Sequence, residues 1–132
     1  MSYHEVSLLR DRSLRMLSSA KRSLLDGDYD IASFMADQAV QLYFKSVILE
    51  MTGEVPRVHV VRQLMYVLKD LLGKPSVVDN FVRENRSLFI RLEEAYISSR
   101  YMLREYEKDE AEELVNFAEE AIRFAKSIKG KD

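Results

Sequence analysis

The chain has 132 residues, 47% hydrophobic and 32% charged, which suits a single globular domain (residues 1–132) with one core. Its net charge of −2 argues against nucleic-acid binding through global charge, and the absence of cysteine excludes disulfides and thiolate metal sites. No apolar run has the length needed to span a bilayer, and the opening residues lack the charged, apolar, small order of a secretory signal, so no membrane association and a cytoplasmic location are expected.

Four glycines and two prolines punctuate the chain, which favours long helices over many short strands. A first helix is predicted from near Ser2 to Leu25, with Val6, Leu9, Met16, Ala20 and Leu24 on one face. The segment DGDYD at 26–30 stops it: Gly27 supplies a left-handed residue, and Asp28 or Asp30 caps the next helix. The second helix is predicted over about Tyr29 to Thr52. Its apolar residues include Ala32, Met35, Ala39, Leu42, Val47 and Leu49, widened by Phe34, Tyr43 and Phe44. So broad an apolar surface predicts a central helix. Gly53 ends it, and residues 53–59 read as a loop.

A shorter helix is predicted from about His59 to Leu72. The GKPS segment at 73–76 breaks the chain, and Pro75 suits a new helix start. The following run through Ile97 reads as one helix, bent near Asn85. The last helix has acids in its first turn and lysines near its end, which suits the helix dipole. Ala111, Leu114, Val115, Ala118, Ala121, Ile122, Ala125 and Ile128 form its predicted buried stripe. The expected fold is therefore all-α: an antiparallel up-and-down bundle of about five helices.

Chemistry-bearing residues are sparse. His59 lies two residues after Arg57; it either orders the loop at a helix start or joins Arg57 and Arg62 as a phosphate contact or acid–base group. His4 lies near a terminus and reads as solvated. The two histidines have no zinc-ligand spacing, so no metal and no cofactor are expected. The carboxylate runs read as solvated helix faces. No glycine-rich phosphate loop follows a strand, and no serine sits in a nucleophile elbow, so no catalytic residue is assigned. In YISSRYMLREY (96–106), Tyr96 and Arg100 lie four apart on one helical face. Tyrosine ties a helix end to its neighbour, whereas Arg100 in a groove would meet a phosphate.

The segment from Gly27 to Leu64 resembles the signature half of a HEPN domain. The matching features are Gly27-Asp28-Tyr29, Gln38-Ala39, Lys45, Gly53 and His59. The YISSRYM stretch resembles the family's second signature through Tyr96, Arg100 and Tyr101. Three positions depart from the pattern: Gln41-Leu42 replaces a common Glu-Lys pair, and Met102 replaces a proline. The ribonuclease branches carry an arginine about four to six residues before a histidine. No arginine here has that spacing, so RNA cleavage by that route is not expected and RNA is a weakly supported partner.

The resemblance implies a helical module, often a homodimer, that binds a nucleotide and works with a separate minimal nucleotidyltransferase in a toxin–antitoxin-type pair. It implies a ligand site built from Arg57, His59, Tyr96, Arg100 and Tyr101. Two other readings stand beside it: a ribonuclease toxin with a non-standard site, and a purely structural protein-interaction dimer.

Overall fold

A computed structural model describes residues 3–101 and 104–130, with the side chains at 99–101 outside the description. The helices are α1 (Tyr3–Leu25), α2 (Tyr29–Thr52), α3 (Val61–Leu72), α4 (Pro75–Glu84), α5 (Arg86–Tyr101) and α6 (Lys108–Lys129). No strand occurs among the described residues. The fold is all-α, but with six helices rather than about five.

The extra helix arises at Asn85. The expected single helix across 77–97 breaks there into α4 and α5. Asn85 leaves helical geometry, with φ −117° and ψ 21°, and its Nδ2 donates to the Phe81 carbonyl at 2.9 Å. This local side-chain bond competes with the continuing helical ladder, as asparagine does. The Asn85 carbonyl then accepts from Phe89 N–H at 3.0 Å and opens α5. α5 runs on to Tyr101, four residues past the expected end, and the other boundaries shift by a residue or two; α3 begins at Val61, so His59 lies in the loop before it.

Capping differs in detail from expectation. Asp28 occupies the N-cap of α2 without a side-chain cap bond, and Asp30 Oδ1 instead accepts from its neighbour Ile31 N–H at 2.9 Å. At the other end of α2, Gly53 takes φ +83°, and its N–H reaches the Leu49 carbonyl. A side chain would strain that left-handed conformation, although nothing lies within 4 Å of where its Cβ would stand. The first turn of α6 is closed by a reciprocal pair between Glu107 and Glu110.

The second helix is central, packing against α1, α3, α5 and α6. Ala32, Ala36 and Ala39 are fully buried, and such small side chains let neighbouring backbones approach closely. α1 runs antiparallel to α2: Arg10 meets Ser46, whereas Ser23 meets Met35. Ser13 donates to the Ala39 carbonyl between them at 2.7 Å. α6 buries every residue of its predicted stripe, together with Phe117. Phe89 stands edge-on to Phe81 and Phe117, with centroids at 5.9 and 4.9 Å. Phe81 also stacks on Phe124 at 3.9 Å.

Candidate functional site

Burying a polar side chain without partners costs stability, so polar residues inside an otherwise apolar surface mark a place where packing alone did not decide the sequence. The central helix carries such a line. Asp37, Gln41 and Lys45 recur every four residues on one face, and all three are buried. They face the loop before α3 and the second half of α5, where His59, Arg62, Glu93 and Tyr96 gather.

Asp37 is the deepest member. Gln41 Nε2 donates to its Oδ2 at 2.7 Å, and Gln38 Nε2 does so at 3.3 Å. Its Oδ1 is buried without a hydrogen-bond partner among the described residues. Burial pushes this carboxyl up to about 8, against the bonds from Gln41 and Gln38; the nearby Glu93 charge adds to the rise and Lys45 opposes it. Asp37 is therefore largely protonated at neutral pH.

Lys45 is buried to 8% exposure, and its ammonium lies 3.4 Å from Nδ1 of His59. Burial lowers its pKa, with Asp37 pulling the other way. An ammonium has only donors, so a charged Lys45 makes Nδ1 the acceptor and leaves the imidazole proton on Nε2. Lys45 has no salt bridge among the described residues, and its nearest buried acid, Asp37, is mostly neutral.

His59 is exposed, and its ring belongs to an aromatic stack. Its ring lies 5.7 Å from that of Tyr96, with 20° between planes. Tyr96 lies in turn 6.5 Å from Phe34 at 12°. The stack joins the α3 entry loop, α5 and α2. Beside it, Arg62 holds Glu93 through two points: Nη2 to Oε1 at 2.7 Å and Nε to Oε2 at 2.8 Å. The Arg62 backbone N–H also donates to Glu93 Oε2, at 3.1 Å. Val60, at the N-cap of α3, has no side-chain oxygen, so a carboxylate from α5 caps α3.

The structure thus brings together two of the five site residues expected from sequence, His59 and Tyr96. Arg57 is exposed on the loop, and no hydrogen bond or ion pair joins it to the cluster among the described residues. The side chains of Arg100 and Tyr101 lie outside the description. Glu50 is engaged by Arg10 at 3.1 Å and Lys129 at 3.5 Å. Farther along YISSRYMLREY, Arg104 and Tyr106 make structural contacts. Tyr106 is buried, its hydroxyl 2.9 Å from Ser98 Oγ; Arg104 covers its ring at 4.0 Å and reaches Glu110 at 2.5 Å.

Asp37, Gln41 and Glu93 were not assigned from sequence; Arg62 was named there as a candidate phosphate contact and is instead held by Glu93. The signal for Asp37 and Gln41 was present, as polar side chains four apart on a helix predicted to be central. Glu93 sat inside a carboxylate run that read as solvated, and only the fold separates it from its exposed neighbour Glu94.

No curated protein and no solved structure matches the chain. The sequence model of one family, described as HEPN domain, matches residues 6–128.

Proposed function

The chain belongs to the HEPN domain family, a family of nucleotide-related or ribonuclease-type helical modules, and we propose that it is a non-catalytic nucleotide-binding member. The observation that carries this reading is the Lys45–His59–Tyr96 arrangement: a nearly buried ammonium without an ionised acid, set against an aromatic stack. A phosphate supplies the counter-charge that Lys45 lacks, and a nucleobase packs against the aromatic group to which the exposed His59 belongs. Asp37, held mostly neutral, adds little repulsion, and the Glu93 charge is answered by Arg62. Arg57, Arg100 and Tyr101 complete the proposed ligand set.

The family resemblance supports the rest of the proposal. The module acts in the cytoplasm as a homodimer with a separate minimal nucleotidyltransferase, in a toxin–antitoxin-type pair. Against a ribonuclease stands the sequence itself, in which no arginine precedes a histidine at the ribonuclease spacing.

A binding screen of the purified protein against nucleoside mono-, di- and triphosphates tests this function, with sulfate as a charge control. Saturable nucleotide binding that sulfate does not reproduce is expected. Equal binding of sulfate would reduce the site to a generic cation, and RNA degradation by the pure protein would replace the proposal with the ribonuclease reading.

A further inference from the structure

The contacts of α3 and its entry loop with α4 and α5 form an ordered series. His59 stacks on Tyr96, Arg62 bonds Glu93, and Lys69 bonds Asp79 at 3.2 Å. As α3 proceeds, its partners fall back along α5 and then α4. Between the second and third contacts lies an open depression of about 290 Å³, lined by Arg62, Tyr66, Asp79, Val82, Arg83 and Arg86.

The charges there do not cancel. Arg62 is answered by Glu93, and Asp79 by Lys69. Arg83 donates to the neutral Asn80 side chain, and Arg86 has no ion-pair partner among the described residues. Two guanidiniums on either side of the Asn85 break are left without counter-charge, beside the half-exposed Tyr66 ring. Lys69 lies 5.0 Å from that ring's centroid, its charge already answered by Asp79. Paired guanidiniums match the oxygens of a phosphate group, which offers several acceptors in a fork-compatible geometry.

We propose that Arg83 and Arg86 form a second phosphate site, continuous across the Arg62–Glu93 bridge with the site at Lys45 and His59. The inference rests on the nucleotide reading of that first site and extends it. Tyr96 and Arg86 are ten residues apart on one helix, roughly 15 Å along its axis. The arginine pair therefore meets a later phosphate than the one nearest the stacked ring. That phosphate comes either from the polyphosphate tail of a single nucleotide or from the next residue of a short strand.

The test compares wild-type protein with an Arg83→Gln/Arg86→Gln double variant, titrated with a nucleoside monophosphate, a nucleoside triphosphate and a trinucleotide. The double variant keeps wild-type affinity for the monophosphate and loses about tenfold for the triphosphate or the trinucleotide. The ligand that loses affinity identifies the source of the second phosphate. For the trinucleotide, the slope of log affinity against log salt becomes shallower by about 0.7 for each phosphate contact removed. Both substitutions are at exposed positions, so the melting temperature should hold. Equal affinity of the two proteins for all three ligands overturns the second site alone. An equal loss for all three, the monophosphate included, also overturns it, because the arginines then serve the first phosphate. Failure of wild-type protein to bind any of the three overturns both sites.

Discussion

Lys45 and Asp37 are two turns apart on one face of α2, both buried, and no direct salt bridge joins them among the described residues. Burial works on both in the neutralising direction, raising the carboxyl and lowering the ammonium. The central helix thus carries two ionisable groups that its packing does not need.

The first consequence is a pH dependence of stability. The Asp37 carboxyl is raised from 3.8 to about 8 in the native state. Below about pH 4 both native and unfolded states hold the proton, and Asp37 carries no penalty. Between about 4 and 8 the unfolded chain releases its proton while the native state keeps it, so stability falls as pH rises, by on the order of 1 kcal/mol per unit. Above about 8 the contribution levels off. Urea unfolding at a series of pH values should show this decline, and Asp37→Asn, which mimics the neutral acid, should flatten it. A wild-type profile that rises through that window would contradict the assignment.

Arg62 and Glu93 tie α3 to α5 and cap α3 at the same time. With Glu93→Ala, both the two-point contact and the cap bond at the Arg62 N–H are lost. A destabilisation of about 2 kcal/mol is expected in urea unfolding. Arg62→Lys should recover only part of the contact, since an ammonium cannot present the guanidinium fork. Full stability in both variants would show the bridge to be incidental.

Phe89 is completely buried at the centre of the aromatic cluster. Phe89→Ala should cost about 3–5 kcal/mol, a large part of the roughly 5–15 kcal/mol that holds a domain folded. Thermal unfolding followed by circular dichroism would detect it, and a melting temperature within 2–4 °C or so of wild type would contradict the packing described.

A homodimer remains the proposed assembly, on the strength of the family resemblance. The large aromatic residues do not require it: Tyr43, Phe44, Phe89 and Phe117 are buried within the chain, and Phe34 and Phe81 partly so. Light scattering at tens of micromolar, a rough scale for weak contacts, should give about twice the 15.4 kDa chain mass, and a monomer at that concentration would count against the dimer.

The helices were legible because their signals are local: apolar periodicity, glycine stops and the Pro75 start. The α4–α5 break was only half legible. Asn85 marks it, but an asparagine bends, interrupts or decorates a helix according to which backbone group its side chain finds. In the site, Tyr96 and His59 could be named from the resemblance, yet their stacking depends on how α5 lies beside the α3 entry loop. Asp37, Gln41 and Lys45 were readable as spacing but not as burial. Glu93 became distinct from its neighbours only once Arg62 stood opposite it.

The most direct test of the nucleotide site is a Lys45→Met substitution, measured for both stability and binding. Removing a buried ammonium that lacks an ionised acid relieves a desolvation cost, so the melting temperature should hold or rise. Nucleotide affinity should nevertheless fall at least about tenfold, equivalent to 1.4 kcal/mol, with sulfate unable to reproduce the wild-type binding. Unchanged nucleotide affinity in a protein of unchanged or higher stability would contradict the claim that Lys45 meets a phosphate.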